Sequence, residues 1–340
     1  MGQLQKIFLD CSIGGGQVLR TGLALSTILK TPVEFENIRA SRPKPGLQAQ
    51  HLAGVKALEQ MGAKAEGTEI GSQKMFFSPP REISFDKISI GIGTAGSVTL
   101  VMQTLLLPLV FSGEKRIVEI KGGTHVSWSP PFEYFEKVFL PATAKFGVKA
   151  ECVLKKHGFY PQGGGTVEIT THPAKELKAC EFLEKGKLKS IEGISAVSNL
   201  PIEIAERQKK SVLEALISQS VSPKIQTKTV EALGQGTFVF LQADYENSIA
   251  GFSSLGEKGK PAEKVGEEAA QKLLEFHASD YCIDEHLGDQ LIPLMALAKG
   301  KNTIKTAVTE HLLSNITVCE QFLPVKFAIE EKTVSVKTDY

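Results

Sequence analysis

Apolar positions along this chain follow two periods, three to four residues where a helix would bury one face and two where a strand would, and the way these periods succeed one another is itself repeated. Three times the order is the same. A glycine-rich or polar turn opens an amphipathic helix, a short strand follows, a second helix ends at a Gly or Pro turn, and two strands close the unit. The first copy runs from the turn at Gly14–Gly16 through a predicted helix over 17–29, a strand over 33–38, a helix over 47–61 and strands over 63–68 and 74–78. The second begins at GTAGS, Gly93 to Ser97, with a helix over 97–111, a strand over 115–121, a helix over 131–146 and strands over 148–155 and 165–171. The third begins at DEHLGDQ, Asp284 to Gln290, with a helix to Lys299, a strand over 302–308, a helix over 312–322 and strands over 325–331 and 333–338.

About a hundred residues between the second and third copies break this rhythm. They predict a strand over 188–198, a helix over 201–218 opened by Pro201 with Glu203 and Glu206 in its first turns, strands over 224–231, 236–243 and 248–255, and a last helix from Pro261 to Phe276. Proline at a first turn with acids beside it suits a helix start. The fold class expected is α/β (α+β). Three repeated βαβαββ-type units form a large domain over 1–184 and 280–340, and a small α+β domain of four strands and two helices is inserted over 185–279.

Composition narrows the function classes. The most apolar window, Val98 to Phe111, is fourteen residues long and contains Gln103 and Pro108, short of the roughly 20 apolar residues that a membrane span needs. The N-terminal MGQLQKIFLD reaches Asp10 before an apolar run of signal-peptide length can form, so a cytoplasmic location is expected. Five cysteines, odd in number and never in a CxxC pair, read as free thiols rather than a disulfide framework or a zinc knuckle. With 39 Lys and Arg against 38 Asp and Glu, no whole-protein field attracts polyanions, and a phosphate-bearing ligand needs a local cluster.

Three constellations supply candidates. Arg39, Arg42 and Lys44 stand together in a loop stiffened by Pro43 and Pro45, just before a helix whose start is placed near Gly46. Guanidinium forks beside helix N–H groups form an oxyanion receptor. Four glycine clusters, SIGGGQ, GIGTAGS, KGGTH and PQGGG, lack the Walker and dinucleotide-binding fingerprints. Turn geometry alone explains any one of them, but four in one chain point to backbone N–H groups meeting a polyphosphate. His311 opens a helix whose apolar face is Leu312, Leu313, Ile316 and Val318, and the positive helix end keeps its imidazole neutral and nucleophilic. The remaining histidines show no HExxH or paired-ligand spacing, which argues against a catalytic zinc.

Taken together, GLQAQHLAGVKAL, GTAGSVTLVMQTLLLP, KGGTHVSWSPP, HGFYPQGGGTV, DEHLGDQLIPLMALA and EHLLSNITVCEQFLP resemble the RNA 3'-terminal phosphate cyclases, from about Leu9 to Phe327. The resemblance implies three βαβαββ units with an inserted α+β domain, and an ATP-dependent enzyme that converts an RNA 3'-phosphate into a 2',3'-cyclic phosphodiester. It assigns His311 as the residue that takes AMP from ATP and passes it to the RNA end. It places Arg20, Arg39, Arg42 and Gln50 around the phosphates, and Asp289 as a carboxylate important for activity and for a divalent cation, Mg2+ or Mn2+. Gln103 and the stretch His286, Leu287, Gly288, Asp289 and Gln290 match ATP-contacting segments, with Pro130 or Pro131 on the side of the adenine opposite His286. RNA 3'-phosphate ends and ATP are the partners implied; no membrane and no obligate protein partner are.

One departure stands out. Members of the family read D-G-S-x-G-E-G-G-G-Q after the first strand, whereas this chain reads DCSIGGGQ, two residues shorter and without the glutamate. The expectation is that activity survives with altered metal dependence, Asp10 or Asp289 standing in. Two other readings stay open at this stage: a non-catalytic RNA-binding or ribosome-assembly factor on the same scaffold, and, on fold analogy alone, an enolpyruvyl transferase.

Overall fold

Three sheets share one strand order. In the computed structural model, which describes residues 6–12, 14–217 and 222–339, the first unit is β1 (Ile7–Asp10), α1 (Gly16–Leu29), β2 (Val33–Glu36), α2 (Ala49–Gln60), β3 (Lys64–Glu66) and β4 (Met75–Ser78). The second is β5 (Lys87–Gly91), α3 (Val98–Val110), β6 (Arg116–Gly122), a helix in three stretches, β7 (Lys149–Lys156) and β8 (Gly165–His172). Those stretches are α4 (Phe132–Tyr134), a π turn over Phe135–Phe139 and α5 (Leu140–Lys145). Pro141 has no amide to give the carbonyl four residues back, which is the physical reason for a widened turn there.

Two short strands, β9 (Leu177–Lys178) and β10 (Glu181–Phe182), lead into the segment between the units. That segment comprises β11 (Leu188–Ser198), α6 (Ile202–Ala215), β12 (Lys224–Thr229), β13 (Gly236–Tyr245), β14 (Ile249–Leu255) and α7 (Ala262–Ala278). The chain then finishes with α8 (Glu285–Leu297), β15 (Ala298–Lys305), α9 (Glu310–Phe322), β16 (Phe327–Glu330) and β17 (Thr333–Thr338). The sheets run β1-β2-β4-β3, β5-β6-β8-β7 and β10-β15-β17-β16, with β9 also on β15. In each, the first pair is parallel and the other two are antiparallel. A parallel pair needs a helical crossover, and α1, α3 and the stretch to β15 through α8 provide it.

The apolar window of the sequence is α3, in which every residue but Gln103 is buried. A helix apolar on all sides belongs in a core, and no helix among the described residues is long and apolar enough to cross a membrane. The segment over 188–278 has its own sheet, β12-β11-β13-β14, and a separate apolar cluster that includes Val212, Leu241, Leu273 and Phe276. Its two ends are tied by Lys185, whose ammonium donates to the carbonyls of Phe276, His277 and Ser279 at 2.7, 3.0 and 2.5 Å. Phe238 and Phe240 of β13 belong instead to the main core.

Some boundaries differ from the pattern. The strand expected over 302–308 is β15, four residues earlier, because α8 passes directly into it at Ala298 and Asn302 satisfies the carbonyls of Met295 and Ala298 with its side-chain amide. The strand over 33–38 stops at Glu36, where Asn37 turns to a positive φ of 52°. The helix expected over 201–218 ends at Ala215, and residue 218 lies outside the described residues. The leading strands β5, β9 and β10 are too short or too polar to show a period. All five cysteines are free thiols.

Candidate active site

The glycine turn before α1 is the centre of the site. α1 has Gly15 at its N-cap and no side-chain cap, whereas α3 and α8 are capped by Ser97 and Asp284 and α9 by Thr309. The first N–H groups of α1 are therefore free of a side-chain acceptor, the arrangement that favours an anion. Each glycine of the turn lies against a different polar side chain. A Cβ on Gly14 (φ 77°) would stand 2.5 Å from Ser314 Oγ on α9, one on Gly15 (φ 56°) 3.5 Å from Arg42 Nε, and one on Gly16 2.4 Å from His51 Nε2. Here glycine is required by close approach as well as by conformation. Ile13, within the shortened loop, lies outside the described residues.

His311 is the second residue of α9, exposed, with its carbonyl bonded by Ser314 Oγ at 2.9 Å. Its pKa lies below the ordinary imidazole value, first through partial burial and then through the Arg20 and Arg42 guanidiniums and His286, with Glu310 opposing. The sequence reading credited the helix end alone; burial and two arginines add to it. α9 packs on both α1 and α8. Arg20, half-buried on α1, bonds Gln17, and desolvation brings it down to about 10 against the pull of Asp289. Asp289 is buried on α8, and its carboxyl is raised to about 8 by desolvation, with Arg20 lowering it and Asp284 and Glu285 raising it.

Several assignments are redistributed. Arg39 uses Nη1 to hold its own loop, donating to the carbonyls of Lys44 at 2.7 Å and Gly46 at 3.0 Å, while Arg42 stands exposed at the α1 turn. The helix start expected near Gly46 is at Ala49, with Gln48 and His51 forming a reciprocal cap. Gly46 is a glycine because Gly71 crowds it. Gln50 accepts from the Ser97 amide at 3.1 Å and so joins α2 to the start of α3.

Leu287 and Gly288 turn away from any ligand, Leu287 into the core and Gly288 against Thr306, because five successive helical residues cannot share a face. His286 is exposed and capped at its amide by Asp284. Pro131 is the N-cap of α4, and the Pro130 carbonyl accepts from Thr99 Oγ1 at 2.8 Å. Gln103 and Gln290, with Gln17, Arg20, Thr21 and Phe139, line a cleft of about 40 Å³, where Gln103 Nε2, Gln290 Oε1 and Arg20 Nε make no hydrogen bond. The cleft is large enough for water and far too small for a nucleotide.

The other three glycine clusters pack on one another in part, around Ala95 and β6, while Gly91 and Gly93 have open space around them. A Cβ on Gly123 would meet the Ala95 carbonyl at 2.4 Å, on Gly163 the Ala95 Cα at 2.9 Å, and on Gly158 the Gly122 carbonyl at 2.4 Å. The first cluster is the one that lies against Ser314, Arg42 and His51. Asp10, a possible stand-in for the missing glutamate, is engaged locally, accepting from the Ser12 amide at 2.9 Å and from Asn37 Nδ2 at 3.1 Å. Asp289 belongs to no cluster of three or more metal-ligating side chains among the described residues.

Sequence reasoning missed His51, which is buried behind Gly16 and brought down to about 3 by burial and by Arg20 and Arg39. It also missed His125, Glu133 and His157, which converge in space from positions 8 to 32 residues apart. No spacing rule links them; KGGTH and HGFYPQGGG, both noted as motifs, were the available signal.

These features describe a three-unit α/β protein with an anion-receiving turn beside a neutral histidine. The chain matches the RNA 3'-terminal phosphate cyclase family over residues 11–329, and it belongs to that family. It is 43% identical over 318 residues to the RNA 3'-terminal phosphate cyclase of Pyrococcus abyssi, covering 93% of this chain and 92% of that one. The protein of the same name from Pyrococcus furiosus is 44% identical over 328 residues, 95% of each. Among solved structures, the enolpyruvyl transferase NikO from Streptomyces tendae aligns with a TM-score of 0.40 at 11% identity, over 98% of this chain and 48% of that one, too slight a likeness to carry an argument.

Proposed function

We propose that the chain converts the 3'-terminal phosphate of RNA into a 2',3'-cyclic phosphodiester at the expense of ATP, in the cytoplasm. A body over 1–184 and 280–340 carries the chemistry, and the segment over 185–279 forms an inserted domain. The neutral His311 imidazole attacks the α-phosphorus of ATP, forming an N–P bond as the bond to pyrophosphate breaks. AMP then passes to an oxygen of the RNA 3'-phosphate, which frees His311. The neighbouring 2'-oxygen attacks the activated phosphorus, its proton is lost, and AMP leaves. A phosphate monoester cannot be closed by its own 2'-hydroxyl until one oxygen becomes a leaving group, and adenylylation makes it one.

The observation that supports this reading is the close approach of Ser314 on α9 to Gly14 of the α1 turn, together with the lowering of the His311 pKa by Arg20 and Arg42. Arg42 and Arg20 neutralise the charge gathered on the phosphates. A divalent cation, Mg2+ or Mn2+, supplies further charge neutralisation when it arrives with ATP, with Asp289 as the carboxyl that would face it. His286 and the Pro130–Pro131 turn are proposed for the nucleotide side, with the Gln103–Gln290 cleft, too small to admit a nucleotide, at its edge.

Incubation with ATP labelled at the α-phosphate, followed by a denaturing gel, tests the proposal. Acid-labile, base-stable label on the wild type and none on His311→Ala is expected. Label that persists in His311→Ala overturns the assignment. The shortened loop without its glutamate favours one other reading, an RNA-binding factor that does no chemistry; absence of label over a range of Mg2+ and Mn2+, with RNA binding indifferent to a 3'-phosphate, would establish it instead.

A further inference from the structure

A second histidine-rich site lies away from the α1 turn. His125 follows β6, His157 follows β7 and Glu133 is the second residue of α4, and their ligand atoms all lie within 4.8 Å of one another. The His125 and Glu133 side chains are 0% and 9% exposed, and His125 Nε2 is 2.7 Å from Glu133 Oε2. The two imidazoles form a near-parallel stack with centroids 5.2 Å apart, and no hydrogen bond engages the His157 ring among the described residues. We propose that His125, Glu133 and His157 form a binding site for one first-row divalent metal ion, Zn2+ by ligand type, that ties the start of α4 to the ends of β6 and β7.

Two neutral imidazoles and one carboxylate are an established ligand set for Zn2+, with metal–ligand distances of about 2.0–2.2 Å. Ligand atoms around such an ion stand about 3.3 Å apart in tetrahedral geometry. The His125–Glu133 contact has only to open by about half an ångström, and one water or the second carboxylate oxygen completes the shell.

The surroundings already orient the ligands. His125 Nδ1 is 2.8 Å from Thr124 Oγ1, which also accepts from the Gly158 amide at 2.9 Å. With Nδ1 donating to that hydroxyl, the Nε2 lone pair faces the Glu133 carboxylate, a pairing that calls for a cation or a proton between them.

Position gives the site its consequence. The Phe238 ring of β13 lies 4.1 Å from that of His125, and the His157 amide donates to the Glu231 carbonyl at 3.2 Å, so both histidines touch the inserted segment. His125 and Glu133 also bracket Pro130 and Pro131, the turn proposed for the adenine. An ion joining them holds that turn against the ends of β6 and β7, next to the inserted segment.

The test needs no cyclase activity. The metal-stripped full chain is titrated with Co2+ and followed by its visible absorption, then with Zn2+ in competition, with melting curves in parallel. One equivalent of Co2+ in a low-symmetry site, displaced by Zn2+, and a melting temperature raised by Zn2+ and returned by EDTA are expected. Glu133→Gln and His157→Gln each lose at least tenfold in affinity, while Asp289→Asn and His311→Ala keep it. Circular dichroism spectra matching the wild type show that the variants are folded. No stoichiometric binding by the wild type overturns the site, as does binding that survives in folded Glu133→Gln and His157→Gln or disappears in Asp289→Asn.

Discussion

The side-chain amide of Asn315 donates to the main-chain carbonyl of Asp289 at 2.7 Å, while its oxygen accepts from Thr21 Oγ1 at 2.6 Å. Asn315 is fully buried and stands one turn beyond His311. One side chain thus fixes α9, α8 and α1 together, the helices that carry His311, Asp289 and Arg20. Its replacement by Leu removes both bonds and leaves the Thr21 hydroxyl and the Asp289 carbonyl unpaired in the interior, at about 2–4 kcal/mol. Urea melts are expected to show that loss, with His311 adenylylation falling at least tenfold in the protein that remains folded. A stability and activity equal to wild type would remove Asn315 from this role.

Arg39 and Arg42 are expected to separate experimentally. Arg39→Ala loses two hydrogen bonds from a charged donor to its own loop and lowers stability by about 1.5–3 kcal/mol. Arg42→Ala, at an exposed position, leaves the melting temperature within a degree or two and raises KM for ATP. Equal effects of the two substitutions on both quantities would contradict the division.

Gly14→Ala is strained twice, by a φ of 77° and by a Cβ 2.5 Å from Ser314 Oγ. Ser314→Ala removes only the Oγ contact, because the Cβ at position 314 remains 2.6 Å away and the backbone angle is unchanged. The double variant is expected to recover less than half of the adenylylation lost by Gly14→Ala. Full recovery would mean that the clash with Oγ alone had set the requirement for glycine.

Asp289 gives the pH dependence a sign. Its folded value, about 8, is above the 3.8 of a free aspartate, so the folded state binds this proton more tightly than the unfolded state. The group therefore costs stability increasingly as pH rises from about 4 and reaches its full penalty above pH 8. Asp289→Asn removes that penalty. The difference in melting temperature, variant minus wild type, is expected to grow between pH 6 and 9; a flat or falling difference would show that Arg20 holds the carboxylate ionised.

His311 sets the acid limb. Because its pKa lies below the ordinary imidazole value, adenylylation should persist at pH 6, where a free histidine would be largely protonated. A rate that halves near pH 6.5 would indicate an imidazole that does not feel Arg20 and Arg42.

The three-unit order, the inserted segment's elements and the His311 helix were legible in the sequence because they follow from periodicity and short-range turn chemistry. β8 alternates buried and half-buried residues without a break, and α3 is buried at every position but Gln103. Local order also located the α1 glycine turn. What sequence could not decide was which glycines face a ligand and which face another backbone, since both need the same residue. Gly15 beside Arg42 and Gly123 beside the Ala95 carbonyl differ only in what the fold brings to them. The same holds for Arg39, turned back on its own loop, and for His125, Glu133 and His157, assembled from separate strand ends and a helix. Contacts between residues far apart in the chain depend on how the sheets and helices pack, and that packing alone made a bracing residue of one arginine and a cluster of three scattered side chains.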